Sequence, residues 1–314
     1  MKLFRGFAVA SAVLAFVLVV LGSWVRINEA GLTCPDWPLC KGALVPALSG
    51  GIVLEWSHRL VAFLESFVVL GAIVTGFRAR HQIAGVTPTL IALGAIFLMQ
   101  VSLGGATVLL ANSPISVMLH WGMAMALLAT LTTLAALSIL GPRRDASRRA
   151  FAGAGDSAAP ALAIVAGFAF VTMCLGAYVS SSYAGLACST VPACDGTLLG
   201  TTLPQLVQML HRLAAVAFAI IAGIATVVAW QGTSARAKTF ASIGATLVVA
   251  QIALGIGNVV WHLPTALREA HAANAGATFL AFMIAAVLAA LEPSLVTASQ
   301  PDRVHAPRRI ATNA

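Results

Sequence analysis

The sequence predicts an all-α polytopic membrane protein: eight transmembrane helices arranged as two pseudo-symmetric four-helix bundles. Three observations lead there. Of 314 residues, 60% are hydrophobic and 9% charged, with mean hydropathy +0.94, whereas a soluble chain carries about 25% charged residues. Apolar stretches recur at 7–25, 56–77, 88–110, 117–140, 160–180, 205–230, 239–261 and 270–291, each close to the ~20 residues that cross the hydrocarbon core as a helix. Finally, the chain repeats itself, and an internal repeat sets the architecture.

The first span, 7–25, has the look of a signal peptide. Its apolar run is long and leads into the repeat with no convincing Ala-x-Ala cleavage site, so it reads as a membrane helix. It passes into GSWVRINEAGLTCPDWPLC, which holds Cys34 and Cys40, and the second span opens with Glu55-Trp56-Ser57-His58-Arg59-Leu60. The third span carries Gln100, Gly104 and Gly105, and the fourth begins near His120. A hydrophilic linker, 141–159, closes the N-terminal half, 1–140. The C-terminal half, 160–292, repeats the plan. GAYVSSSYAGLACSTVPAC holds Cys188 and Cys194, followed by Gln208-Met209-Leu210-His211-Arg212-Leu213, then Gln251, Gly255 and Gly257, then His271. A polar tail occupies 293–314. The cysteines recur at an offset of 154, His58 and His211 at 153, His120 and His271 at 151.

The net charge of +8 does not imply nucleic acid, because its distribution follows the spans. Lys2, Arg5, Arg78, Arg80, Arg143, Arg144, Arg148, Arg149, Arg236, Lys238, Arg303, Arg308 and Arg309 fall on one side, and only Arg26, Lys41, Arg59, Arg212 and Arg268 near the other. The positive-inside rule then puts both termini and the linker in the cytoplasm. The basic surplus also suits contact with anionic membrane lipids. Both cysteine pairs fall on the outer side, where disulfides persist. Two loop disulfides, Cys34–Cys40 and Cys188–Cys194, are expected, with metal binding by each pair as the competing reading. Cys174, inside a span and unmatched by the repeat, reads as a packing residue.

His58, His120, His211 and His271 stand at similar depth near the outer ends of the even-numbered helices. Neutral imidazole is a good axial ligand for haem iron, and two of them on facing helices hold a porphyrin between them. Zinc fits less well, since no carboxylate or thiolate is placed to complete a tetrahedral site within the membrane. One haem-sized pocket per half pairs His58 with His120 and His211 with His271; a haem shared across the seam remains the alternative. Gly104, Gly105, Gly255 and Gly257 would let helices part around a flat macrocycle, though glycine also serves close helix packing.

The halves differ in their carboxylates. Glu55 lies three residues before His58, where the other half has Gln208. A carboxylate there can accept a proton or orient water, so the N-terminal half reads as reactive and the C-terminal half as a redox cofactor site. The competing reading makes Glu55 a carboxylate favoured by the helix N-terminus. Glu65, matched by Phe218, is a candidate proton-path or histidine-orienting residue. Arg59 and Arg212 are placed for haem propionates or for snorkelling to the interface. Trp24, Trp37, Trp56, Trp121 and Trp261 form an aromatic belt. His81, His262 and His305 read as non-ligands, and Gln100 and Gln251 as bonds across the bundle.

AGLTCPDWPLCKG, Glu55-x-x-His58-Arg59, His120, the second cysteine pair, His211-Arg212 and His271 together resemble the disulfide-bearing bacterial form of the haem A synthase family, over nearly the whole span from Gly22 to His271. The poorest match lies between Cys40 and Glu55. The resemblance implies an enzyme of the bacterial cytoplasmic (inner) membrane that oxidises the C8 methyl group of haem O, through an alcohol, to a formyl group. It assigns His58 and His120 to the substrate haem, His211 and His271 to a haem b cofactor, and the catalytic carboxylate to Glu55. Haem O synthase and cytochrome oxidase assembly factors are the partners it implies. A diheme membrane electron-transfer protein and a haem transporter are the rival functions; the first explains the Glu55/Gln208 difference less readily, and the second fits sites near the midplane better than histidines clustered at one membrane face.

Overall fold

The computed structural model describes residues 1–141 and 158–292. The basic residues expected in the linker (Arg143, Arg144, Arg148, Arg149) and the tail, with Arg303, His305, Arg308 and Arg309, lie outside the described residues. Eight helices account for nearly all of the rest: α1 (Lys2–Ile27), α2 (Gly51–Ala79), α3 (Val86–Leu109), α4 (Pro114–Leu140), α5 (Ala158–Ser181), α6 (Leu203–Gly232), α7 (Ala235–Val260) and α8 (Thr265–Leu291). All eight are long and apolar enough to cross a membrane, and the protein is a multi-pass membrane protein.

Every helix starts two to five residues before the apolar stretch that announced it, because a helix begins where its terminal N–H groups find partners, not where hydropathy rises. Ser113 caps α4, its hydroxyl accepting from the Ser116 N–H with Pro114 in the first turn. Ser234 caps α7 by accepting from the Ala237 N–H.

Within the N-terminal half α1 packs on α2 and α4, and α3 on α4 and α2; the C-terminal half repeats this with α5 on α6 and α8, and α7 on α8 and α6. The halves meet where α1 and α4 touch α8 and α4 touches α5. Half of the most apolar windows of α4 and α8 is buried, against 17% for α3 and 22% for α2 and α6. The core therefore sits on the seam, around Leu128, Leu131 and Leu134 of α4, Leu162 and Val165 of α5, and Phe282 of α8. The outer helices turn Phe63, Phe67, Leu98, Ile220 and Ile224 outward, as helices facing lipid do. Cys174 belongs to the seam as well, its sulfur lying against Gly122 of α4.

Candidate functional site

Each half opens with a short loop closed by a disulfide, Cys34–Cys40 and Cys188–Cys194. These cysteines are thus not free thiolate ligands, which removes the metal-binding reading. A miniature antiparallel bridge joins Cys40 to Ala43 in one loop and Cys194 to Thr197 in the other. In the first loop the Asp36 carboxylate accepts from the Lys41 and Gly42 N–H groups at 2.5 and 2.7 Å. The Gly42 N–H above all holds Asp36 below the usual carboxylate range. In the second the carboxylate has changed ends: Asp195 accepts from the Ser189 hydroxyl and N–H, and that hydroxyl chiefly lowers its range.

Glu55 and Gln208 hold these loops to the helices below. Glu55 Oε2 accepts from the Cys34 N–H at 2.7 Å and from the Thr33 hydroxyl at 2.9 Å, while Oε1 pairs with Arg59 at 2.6 Å. Gln208 Oε1 accepts from the Cys188 N–H at 2.6 Å, and its Nε2 donates to the Gly185 carbonyl at 2.7 Å. Both side chains are only 4% exposed. The anchoring task needs an acceptor, which both residue types provide; what Glu55 adds is charge, and it gathers Thr33 and Arg59 around that charge.

Both arginines bond to the cysteine loops. The Arg59 guanidinium donates to the carbonyls of Cys34, Asp36 and Leu39, as well as to Glu55. Arg212 donates to the carbonyls of Cys188 and Thr190 at 3.2 and 2.7 Å. The planar fork of an arginine can satisfy several converging acceptors, and each loop turns a ring of carbonyls toward the helix beneath it.

The four histidines all lie within the first two to three turns of their helices, on α2, α4, α6 and α8. His58 and His120 are electrostatic neighbours, and so are His211 and His271. Each ring is half-buried. The Nδ1 atoms of His58, His120 and His271 are enclosed with no hydrogen-bond partner among the described residues, and His211 Nδ1 lies 3.1 Å from the Thr172 carbonyl. The main-chain carbonyls of Gln100 and Gln251 lie beside His120 and His271, short of hydrogen-bond geometry. Imidazole is the commonest side-chain metal ligand, through either ring nitrogen.

Each ring also rests on a glycine of the neighbouring helix. A Cβ added at Gly22, Gly104, Gly176 or Gly255 would lie 3.1, 3.2, 2.9 or 3.2 Å from Cε1 of His58, His120, His211 or His271, respectively. Gly104 and Gly255 were expected near the sites. Gly22 and Gly176 were not, although each opens a quoted copy of the repeat and they recur at its 154 offset. The other two expected glycines serve aromatic packing: Gly105 lies against Trp37 and Gly257 against Trp261. Gln251 does bond across the helices, donating to the His271 carbonyl at 3.0 Å and accepting from Asn274 at 2.6 Å.

A helical bundle bearing one disulfide-anchored loop and one pair of neighbouring imidazoles in each repeated half defines a polytopic membrane protein with two matched candidate sites. The chain belongs to the cytochrome oxidase assembly protein family COX15-CtaA, whose family model matches residues 5–52 and 49–283. It is 28% identical to the heme A synthase of Bacillus licheniformis over 278 residues, covering 86% of this chain and 91% of that protein. It is 30% identical to the heme A synthase of Shouchella clausii over 264 residues, covering 79% and 85%. The heme A synthase of Shewanella oneidensis is 26% identical over 311 residues.

Proposed function

We propose that this protein is a membrane oxidoreductase that converts haem O to haem A, oxidising the C8 methyl group to a formyl group by way of an alcohol, as a step in cytochrome oxidase assembly. The observation that carries the proposal is the doubled imidazole pair, each ring seated on a glycine, in a chain related over most of its length to heme A synthases. Residues 1–140 form the half that takes the substrate haem, with His58 and His120 as its iron ligands. Residues 160–292 form the half that holds haem b through His211 and His271. The two imidazoles of each half would hold haem iron, and the absence of a Cβ at the facing glycines leaves each ring free to take its orientation. When bound, haem b supplies a one-electron carrier beside the substrate half.

The chain's own residues then have distinct tasks. His58 and His120 hold the substrate plane. Glu55 lies one helical turn before His58, where its carboxylate can take up a proton released as the methyl carbon is oxidised, or orient the water that adds to that carbon. Arg59, Thr33 and the Cys34 N–H hold that carboxylate in place. The anchored cysteine loop covers the same end of the bundle and limits water there. An apolar isoprenoid tail favours entry of the substrate from the bilayer. The protein is placed in the bacterial cytoplasmic membrane with both termini in the cytoplasm and the cysteine loops outside, supported by the distribution of Lys and Arg. Direct contact with haem O synthase or oxidase assembly factors belongs to the same proposal.

The test is expression with supplied haem O, followed by pigment extraction and chromatography. Hydroxylated and formyl haems should appear. Unchanged haem O from folded protein carrying haem b would refute the proposal.

A further inference from the structure

We propose that Glu65 and Gln100 form a polar floor of the substrate pocket that retains the alcohol intermediate for its second oxidation, Glu65 donating a hydrogen bond to the new oxygen and Gln100 accepting one from its hydroxyl. The proposal rests on the assignment of the N-terminal half to the substrate haem.

Both residues carry an enclosed oxygen with no hydrogen-bond partner among the described residues, Oε1 in each case. Such atoms are rare, and each one in a folded protein requires a reason. Glu65 is 3% exposed. It follows His58 by seven residues on α2, which places it about 20° from the same face and ~10.5 Å farther from the cysteine loop. Between them that face carries Val61 and Ala62. In its neutral acid form such a carboxyl has an O–H to donate. Gln100 lies on α3 one turn before Gly104, the residue seated against His120, and on the side away from the loops. Both groups are therefore deeper than the imidazoles, on helices that pack together.

The C-terminal half shows what these positions look like when satisfied. Phe218 stands where Glu65 does, 7% exposed and edge-on to Phe282 at 6.1 Å. Gln251 stands where Gln100 does, and its Oε1 accepts from Asn274 at 2.6 Å. At the repeat offset of 151 the counterpart of Asn274 is Met123, which has no N–H to give. The substrate half has thus exchanged a phenyl for an acid and lost the donor to its glutamine. A hydroxyl answers both vacancies, since it accepts and donates. The methyl group of haem O answers neither, and a formyl oxygen only accepts. Affinity should therefore rank alcohol, formyl, methyl, which holds the intermediate and lets the product go more readily.

The experiment titrates haem O, its hydroxylated form and haem A into detergent-solubilised full-length protein carrying haem b, followed by the Soret change. Wild type should bind the hydroxylated haem about tenfold more tightly than haem O. Two substitutions borrow residues from the protein's other half: Glu65→Phe, and Met123→Asn, which gives Gln100 the donor Gln251 has. Either should abolish most of that preference and raise the share of alcohol released during turnover, and Met123→Asn should leave haem O affinity within about twofold. Glu65→Gln, which keeps a donor, should retain the preference. If Glu65→Phe fails to fold, Met123→Asn and Glu65→Gln decide the matter between them. An equal affinity for both haems in wild type, or an undiminished preference in Met123→Asn, overturns the proposal. Wild type that carries haem b yet converts no haem O would instead refute the function it rests on.

Discussion

Replacing Gly176 with alanine should weaken the proposed haem b site more than any other single methyl group added beside an imidazole. The new Cβ would lie 2.9 Å from His211 Cε1, well inside the ~3.5–4.0 Å at which carbon atoms attract. The ring cannot simply yield, because its Nδ1 is held 3.1 Å from the Thr172 carbonyl on the same helix as Gly176. Overpacking of this kind costs about 1–3 kcal/mol, against which a glycine-to-alanine change in a helix returns up to ~1 kcal/mol. If the strain falls on ligation, haem b affinity drops roughly 5- to 150-fold. The assay is titration of the apoprotein with haem b, read by the six-coordinate bis-imidazole spectrum. Gly167→Ala on the same helix is the control, since nothing lies within 4 Å of its added Cβ. Gly255→Ala, at 3.2 Å from His271, should fall between the two. Wild-type haem b affinity in Gly176→Ala, or an equal loss in Gly167→Ala, would refute the reasoning.

Three further outcomes follow from the loops and their anchors. Glu55→Gln should keep the Cys34 N–H bond, as Gln208 keeps that of Cys188, and leave the haem b spectrum intact while haem O conversion falls at least about a hundredfold, the scale of removing a positioned acid or base; loss of the haem b spectrum in that variant would make Glu55 structural instead. Replacing Cys34 and Cys40 together by serine frees a seven-residue loop, which on the chain-entropy account lowers stability by ~2 kcal/mol; an unchanged thermal unfolding midpoint would count against a stabilising role for that disulfide. Asp36, lowered chiefly by the Gly42 N–H, contributes stability that is present above its unfolded range near ~3.9 and lost as pH falls through its lower folded value. The rate of phosphine reduction of Cys34–Cys40, divided by that of a small-molecule disulfide at the same pH, should therefore be flat from neutral pH to about 5 and rise only below about 4; a rise that begins near pH 6 would assign the effect to another group.

Much of this molecule is local in the sequence, and those parts were legible. Hydropathy along 20-odd residues is enough to mark a membrane helix, so all eight spans and their order emerged from the chain alone. The two disulfides followed from six-residue spacings on one side of the membrane, and the equal depth of four histidines followed from their recurrence. The helix ends did not, because caps such as Ser113 and Ser234 act through a single hydrogen bond that hydropathy ignores.

What remained for the tertiary structure was every relation between helices. The sequence distinguished Glu55 from Gln208 by charge, yet only packing shows that both anchor the first cysteine of a loop, and that Arg59 and Arg212 turn into rings of loop carbonyls. Gly22 and Gly176 were visible as repeated letters, but their seat under an imidazole depends on how α1 meets α2 and α5 meets α6. The orphaned oxygens of Glu65 and Gln100 belong to the same class. A repeat tells which residues correspond and at what depth, since both are set by position along one helix. Which atoms face one another depends on helix rotation and close packing, settled only when all eight helices are together.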